Sequence, residues 1–210
     1  MSLAYALPLL VGGRVVYSRY FLPMAIPLTI MAVFGFRELY NQGKRSKTLA
    51  LICLGGAVLW SSIYILFSYM LPGSTPFATQ DRVQYLTEWS SGYGISQVRD
   101  YLRTQIEQKT DGQQIEVGTE GYFGTLPDGL SIYFNDPVYA DKIKIDGVGQ
   151  PIRAIPDSLL QSAKTRDTYL VVNSHRFFLE DELNYERVGA YNRPHGGPKL
   201  LLLRILPQKR

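Results

Sequence analysis

A run of twenty-four residues without a charge, residues 48–71, constrains this chain more than any other feature. The hydrocarbon core of a membrane is about 30 Å thick, and a helix needs roughly 20 apolar residues to cross it. A soluble domain seldom needs so long a charge-free segment, so the run predicts a membrane-spanning helix. A second charge-free run, residues 20–36, has seventeen residues and lies near the short end of what spans a bilayer.

The charges are divided unevenly along the chain. Seven of the forty charged side chains lie in residues 1–71, and the net charge of +4 splits into about +5 there and about −1 in residues 72–210. The basic excess therefore flanks the apolar runs and is not the footprint of a nucleic-acid-binding protein. The single cysteine, Cys53, excludes an internal disulfide and a cysteine-based zinc site.

The loop between the two apolar runs predicts the membrane topology. Residues 37–47, RELYNQGKRSK, carry four positive charges and one negative charge. Short loops rich in Lys and Arg stay in the cytoplasm, so residues 72–210 are expected outside it, on the outer face of the plasma membrane. Residues 2–11 are apolar but too short to span. We expect them to be the outward end of a partial helix in a larger membrane protein, or alternatively a re-entrant or surface-lying segment.

Residues 72–210 have the pattern of a separate α/β domain. Apolar residues at helical spacing predict a helix over 92–109 with Ser96 as its N-cap, and a short helix follows at 156–164. Strands are predicted at 114–119, 141–148, 168–173 and 199–206, and 130–134 is a further short apolar run. Because helices alternate with strands, we expect a small α/β sandwich with a mostly parallel sheet.

Local catalytic motifs are scarce. The sequence has no phosphate-binding GxxxxGK[ST], no HExxH, no GxSxG and no GxGxxG after a strand. The two histidines, His175 and His195, are far apart and lie in loop-like settings. The acids Asp181 and Glu182 fit a solvated helix face.

One glycine-rich loop is a candidate site in the extracytoplasmic domain. Residues 118–129, GTEGYFGTLPDG, directly follow a predicted strand and place Glu120 at its carboxyl end, where α/β domains tend to bind ligands. Glu120 and Asp128 would make an anchored hydrolase if their carboxyl groups lay roughly 5–10 Å apart. The alternative is a tight structural turn.

Residues 14–23, RVVYSRYFLP, form the other candidate site. Arg19 and the adjacent Tyr20 lie at the expected outer mouth of a membrane helix. A guanidinium there can hold a phosphate at the level of the lipid headgroups by a bidentate contact. The alternative is an arginine that only extends its side chain to the interface.

The same run resembles the late transmembrane region of bacterial GT-C glycosyltransferases of the family 39-like group, which are related to protein O-mannosyltransferases and aminoarabinose lipid A transferases. Their late helices often open with an Arg-Tyr-x-x-Pro pattern, matched here by Arg19, Tyr20 and Pro23. The runs EWSSGYGISQVRDYL and VGTEGYFGTLPDGLSIYF resemble the extracytoplasmic C-terminal domain of bacterial members. The resemblance covers most of residues 5–175.

The resemblance implies an inverting enzyme that moves a sugar from a polyprenyl-phosphate carrier to a protein or lipid acceptor. The family's catalytic acid lies in the first outer loop, often with a divalent metal or a basic residue that steadies the phosphate. No Asp or Glu precedes Glu38 in this chain, so that acid has no counterpart here and the catalytic residue is unknown. Arg19 and Tyr20 carry over as a contact to the donor phosphate, and no metal or other cofactor is expected in this chain.

Three interpretations follow. The first is the C-terminal portion of a membrane glycosyltransferase that needs a missing N-terminal membrane portion for activity. The second is a membrane-anchored binding or scaffolding module without catalysis. The third is the anchored hydrolase that would use Glu120 and Asp128.

Overall fold

The computed structural model describes residues 22–109, 112–179 and 184–207. The chain divides into two compact units between Arg82 and Val83. The first unit holds two long helices, and the second holds a five-stranded sheet with helices on both faces. The sequence boundary expected at residue 72 lies ahead of this division, because the turn-rich segment after the second long helix belongs to the first unit.

Two long helices, α1 (Leu22–Asn41) and α2 (Lys44–Met70), dominate the first unit. At 1.5 Å per residue they are about 30 and 40 Å long, and both are long and apolar enough to cross a membrane. None of the described residues of α1 is buried, and only Ala50 is buried in α2. The apolar side chains of both helices therefore face outward, where a bilayer would cover them.

Both helices extend beyond the apolar runs that predict them. The expected loop at 37–47 is largely helical, and only Gln42 and Gly43 separate α1 from α2. Charged residues continue each helix because the backbone hydrogen bonds do not depend on apolar side chains. The Lys47 ammonium lies 4.4 Å from the Tyr40 ring centroid across this short link. After α2, the first unit ends with a 3₁₀ turn (Pro72–Ser74) and the short helix α3 (Thr79–Arg82).

The second unit follows a regular element order. It starts with a π-helical turn (Val83–Thr87) and a 3₁₀ turn (Trp89–Ser91). The remaining elements are helix α4 (Ile95–Gln108), strand β1 (Ile115–Thr119), helix α5 (Pro127–Tyr133), strand β2 (Ile143–Gly147), helix α6 (Asp157–Ser162), strand β3 (Thr168–Asn173), a 3₁₀ turn (Ser174–Arg176), strand β4 (Tyr185–Tyr191), a 3₁₀ turn (Pro194–Gly196) and strand β5 (Leu200–Ile205).

The sheet is mixed, and the expectation of a mostly parallel sheet was wrong. Its strand order is β2-β1-β3-β5-β4. β1 runs parallel to both β2 and β3, whereas β5 runs antiparallel to β3 and β4. The sequence analysis missed β4, whose apolar and polar residues do not alternate cleanly. Without β4 the last strand looked like one more parallel strand, although the described residues between β3 and β5 form no long helix that could carry a parallel crossover.

Apolar side chains from the sheet fill two separate layers. On one face they pack against α4 and α5 through Val98, Leu102, Leu130 and the strand residues Val117 and Val171. On the other face Leu159 of α6 packs against Leu170, Val172, Leu201 and Leu203. β3 is buried along its whole length, as expected for a strand covered on both faces. Because α5 and α6 lie on opposite faces, the chain leaves β1 toward one face of the sheet and leaves β2 toward the other.

The start of α4 differs from the sequence expectation. Gly94, not Ser96, is the N-cap residue, and the helix begins at Ile95. The Ser96 hydroxyl instead donates to the Gln97 side chain. Gly94 has φ of +94°, a conformation that glycine adopts without the steric cost of a Cβ. A Cβ at Gly94 would also lie 2.9 Å from Leu200, so this glycine lets the helix start against the sheet.

Candidate functional site

The three parallel strands end at one edge of the sheet, and the segments that follow them meet there. The Glu120 N–H donates to the Val171 carbonyl, and the Gly121 N–H donates to the Gly149 carbonyl. β1 leads to α5 on one face, while β2 leads to α6 on the other. Connections that leave in opposite directions open a crevice at the carboxyl ends of the strands, which is the usual ligand position in α/β sheets.

Glu120 forms the floor of this crevice. Its side chain is buried, with the residue 4% exposed. One carboxylate oxygen, Oε2, accepts hydrogen bonds from the Asn173 backbone N–H and from Asn173 Nδ2, both at 2.8 Å. The other oxygen, Oε1, accepts from Arg176 Nη1 at 2.9 Å. A buried carboxylate needs such partners, and these three donors hold Glu120 in one orientation.

A second guanidinium extends this network toward β5. Arg193 is buried, and its Nη2 donates to Asn173 Oδ1 at 2.6 Å while its Nη1 donates to the Pro198 carbonyl at 3.0 Å. Burial lowers the pKa of Arg193, and the negative charges of Glu120 and Glu88 oppose that shift. Arg176, Glu120, Asn173 and Arg193 thus form one continuous chain of hydrogen bonds. The network joins the ends of β1 and β3 to the connection between β4 and β5.

Arg176 also positions the cleft wall. Its guanidinium carbon lies 4.8 Å from the centroid of the Trp89 ring, a cation–π contact. The same Nη1 that binds Glu120 donates to Gln150 Oε1 at 2.5 Å. One side chain therefore orients an aromatic ring, a carboxylate and an amide around the same opening.

A cleft of about 170 Å³ lies above this network. Its walls carry three aromatic rings, and its floor carries amide and carboxylate groups. The lining residues are Trp89, Glu120, Gly121, Tyr122, Phe123, Thr125, Leu126, Gln150 and Asn173. Typical drug-sized pockets measure roughly 300–1,000 Å³, so this cleft has room only for a smaller group.

Two residues beside the cleft form a weaker pair. His175 Nε2 lies 3.7 Å from Glu88 Oε2. Desolvation lowers the pKa of His175, and the nearby Glu88 carboxylate opposes this shift only in part. His175 is therefore neutral at pH 7, and the contact with Glu88 is not a charged pair under those conditions.

The two acids predicted in the glycine-rich loop occupy different settings. Glu120 lines the cleft, whereas Asp128 is exposed and does not line it. Asp128 Oδ2 accepts a hydrogen bond of 2.7 Å from the Gly124 N–H, in the first turn of α5. Asp128 therefore holds the glycine-rich loop against the start of its own helix, α5. The apolar run at 130–134 belongs to the same helix.

Other predicted site residues lie outside the described part of the chain. Arg19 and Tyr20 precede it, and Asp181 and Glu182 fall in the gap between residues 179 and 184. His195 is described and lies in the 3₁₀ turn before β5, with φ of +56°. Across residues 22–109, 112–179 and 184–207, His, Cys, Asp and Glu form no group of three that could hold a metal ion. We assign no metal to this cleft.

Sequence reasoning missed most of the residues that shape the cleft: Trp89, Gln150, Asn173, Arg176 and Arg193. Asn173 had a usable signal, because it is the polar last residue of a strand that is otherwise apolar at its end. Its position beside Glu120 follows once β1 and β3 are paired as parallel neighbours. Arg193 had no comparable signal, since it lies in an irregular connection.

Comparisons of the chain with protein-family models, with curated proteins and with solved structures found no match.

Proposed function

We propose that this chain is the C-terminal part of a membrane glycosyltransferase that moves a sugar from a polyprenyl-phosphate donor to a protein or lipid acceptor. The observation that carries the proposal is the pair α1 and α2, two long apolar helices with outward-facing side chains, joined to an α/β domain with a ligand-sized cleft. The Arg-Tyr-x-x-Pro pattern at residues 19–23 supports the donor assignment through its resemblance to GT-C enzymes.

In this proposal the chain is a multi-pass protein of the plasma membrane. Apolar side chains on α1 and α2 would contact lipid tails, and the basic residues Lys44, Arg45 and Lys47 would stay on the cytoplasmic side. The α/β domain then lies on the outer face. The Gln42–Gly43 link between the two helices is short enough to favour antiparallel neighbours, which is what two successive spans require.

This topology is tested by labelling single cysteines. Cys53 is the only cysteine, so Cys53→Ser gives a background without thiols. We expect Ser96→Cys, on an exposed position of α4, to react with a membrane-impermeant maleimide added to intact cells. Gln42→Cys, in the link between α1 and α2, should react only after the membrane is opened. Labelling of Gln42→Cys in intact cells would contradict the proposed orientation.

Arg19 and Tyr20 would bind the donor phosphate at the outer end of the first span. A hydrogen bond to a charged group contributes about 1.5–3 kcal/mol, so the loss of Arg19 should weaken phosphate binding roughly 10- to 100-fold. The catalytic acid and any divalent metal belong to other parts of the complete enzyme in this proposal. The cleft of the α/β domain would help to select the acceptor.

The donor assignment is tested with the full chain in lipid nanodiscs that contain a photoreactive polyprenyl phosphate. We expect Arg19→Ala to reduce specific photolabelling about tenfold or more. Arg14→Ala, which removes the other arginine of residues 14–23, is the matched control and should label like the parent chain. Equal losses in both variants would mean general attraction to anionic lipid, and Arg19 would then serve only as an interfacial arginine.

The hydrogen bonds of Glu120 and the position of Asp128 favour a second candidate function. Both oxygens of Glu120 already accept hydrogen bonds, and Asp128 does not line the cleft. This arrangement suits recognition better than hydrolysis. A membrane-anchored binding module is therefore the alternative. It predicts ligand binding in the cleft without any binding of polyprenyl phosphate.

A further inference from the structure

We infer that the cleft at the carboxyl edge of the sheet binds one neutral sugar ring. The inference deepens the proposed function, since it names the chemical class that the α/β domain recognises. It rests on the proposed function only for the identity of the larger molecule that carries the sugar. Three properties of the cleft support it: its exposed aromatic walls, its polar floor and its size.

The aromatic walls are unusually open to solvent. Phe123 is 82% exposed and Tyr122 is 75% exposed, and Trp89 faces the same cleft. A single exposed apolar side chain is ordinary, but several around one concave polar floor mark a binding site. Pyranose rings present flat faces of C–H groups, and these faces stack on aromatic rings. The walls thus offer a surface for the apolar side of a sugar.

Hydrogen bonds fix the backbone at both ends of the loop segment that carries two of these rings. Tyr122 and Phe123 lie between Gly121 and Gly124, which have φ of +83° and +96°. Gly121 is tied to Gly149 by a backbone hydrogen bond, and Gly124 is tied to Asp128. Both ends of the aromatic pair are therefore fixed while the rings project outward. Because the backbone is already ordered, the binding of a ligand costs only the side-chain freedom of the two rings.

The polar floor favours a neutral ligand over an anion. Glu120 is the charged residue that lines the cleft. Around it, the two guanidiniums of Arg176 and Arg193 are balanced by the carboxylates of Glu120 and Glu88. Within the described part of the chain, the Gln150 side-chain nitrogen makes no hydrogen bond, so its two N–H donors are available. The Asn173 amide and the Glu120 carboxylate also line the cleft. They hydrogen-bond to each other, and each retains one further site, an Nδ2–H of Asn173 and a carboxylate lone pair of Glu120. Amides and carboxylates are the groups that pair with sugar hydroxyls, which both donate and accept.

The size of the cleft fits one ring rather than an oligosaccharide. Its volume of about 170 Å³ is well below that of a drug-sized pocket. A planar nucleobase would also stack on the aromatic walls, but its nucleotide would bring phosphate groups to a floor whose lining charge is a carboxylate. A terminal sugar on a protein, lipid or carrier is the group that meets all three conditions.

The test uses the full chain in detergent micelles, with Trp60→Phe introduced so that Trp89 is the only tryptophan. Glucose, mannose, galactose and N-acetylglucosamine are titrated separately at millimolar concentrations while the Trp89 fluorescence is recorded. We expect at least one of them to change the Trp89 emission saturably. Sodium phosphate and sodium acetate are the anionic probes and should leave the emission unchanged.

Two variants locate the binding site. Phe123→Ala removes an exposed ring from the cleft wall and should weaken sugar binding about tenfold, equivalent to ~1.4 kcal/mol. Phe178→Ala removes another exposed ring, 58% exposed, that does not line the cleft, and should leave the affinity unchanged. The inference is overturned if none of the four sugars gives a saturable change, if phosphate or acetate does so instead, or if both variants weaken binding equally.

The outcome is separable from that of the proposed function. Sugar binding without photolabelling by polyprenyl phosphate would support the inference and favour the binding module. Photolabelling that depends on Arg19, with no sugar effect on Trp89, would overturn the inference and leave the glycosyltransferase proposal in place.

Discussion

Replacement of Glu120 by alanine is expected to lower the free energy of unfolding of the α/β domain by about 3–5 kcal/mol, the usual cost of removing one partner from a buried ion pair. The change leaves two buried donors, the Asn173 N–H and the Asn173 amide, without their acceptor. It also removes the negative charge that pairs with Arg176, which keeps its hydrogen bond to Gln150. Urea unfolding of the Trp60→Phe chain in detergent, followed by Trp89 fluorescence, measures the loss.

Asp128 provides the matched control, because it is an acid of the same loop with one hydrogen bond and an exposed side chain. Loss of one exposed hydrogen bond costs about 0.5–1.5 kcal/mol, so Asp128→Ala should be clearly milder than Glu120→Ala. If both variants lost the same small amount of stability, Glu120 would not be held in the buried network. It would then be available as a reacting acid, as the hydrolase interpretation requires.

A double-mutant cycle isolates the contact between Glu120 and Arg176. Arg176 retains some exposure, so Arg176→Ala alone should cost less than Glu120→Ala. In the double variant the two losses should not add, because removal of both side chains leaves neither charge without its partner. Additive losses would instead mean that the stability cost of Glu120→Ala comes from its lost hydrogen bonds to Asn173.

The second large effect is expected at Gly147, the last residue of β2. A Cβ at this position would lie 2.6 Å from Tyr122 Cα and would also meet the Gly121 carbonyl oxygen. Both are backbone atoms, so no side-chain rotation can relieve the overlap. Gly147→Ala must push the glycine-rich loop away from β2, and overpacking of this kind typically costs about 1–3 kcal/mol. The urea measurement on Trp89 described above detects this loss.

The loop shift should also disturb the cleft, since Gly121 and Tyr122 line it. Gly129→Ala is the control: its Cβ would meet only the end of the Ile95 side chain at 3.3 Å, and the residue lies within α5. There an alanine gains up to about 1 kcal/mol of helix propensity over glycine. We therefore expect Gly129→Ala to be neutral or stabilising. A Gly147→Ala chain with parent-like stability would show that the loop does not rest on β2.

The sequence predicted several elements well, for identifiable reasons. The helix α4 followed from the spacing of Ile95, Val98, Leu102 and Ile106, all of which are buried. The strand β3 followed from an apolar run too short for a helix and covered on both faces. The apolar runs that predict membrane helices coincide with the two long helices. In each case the information lies within a few turns or residues of the chain.

The sheet and the cleft required the tertiary structure. Whether β5 pairs parallel or antiparallel with β3 depends on β4, a strand with a weak pattern of its own. The position of Glu120 at a strand end was readable, but its partners were not. Asn173, Arg176 and Arg193 are 53, 56 and 73 residues further along the chain. Only the parallel pairing of β1 with β3 brings Asn173 and Arg176 to the carboxylate, and only the return of the chain before β5 brings Arg193 to Asn173.

By itself, then, the sequence determined the division into apolar helices and an α/β domain, the main helix and strand positions, and the place of the glycine-rich loop after β1. Hydrophobic periodicity and charge-free length are local properties, and they act before the chain has folded. Only the tertiary structure decided the mixed order of the sheet, the burial of Glu120 and the aromatic cleft above it. Those features depend on contacts between residues distant in sequence, which no local pattern encodes.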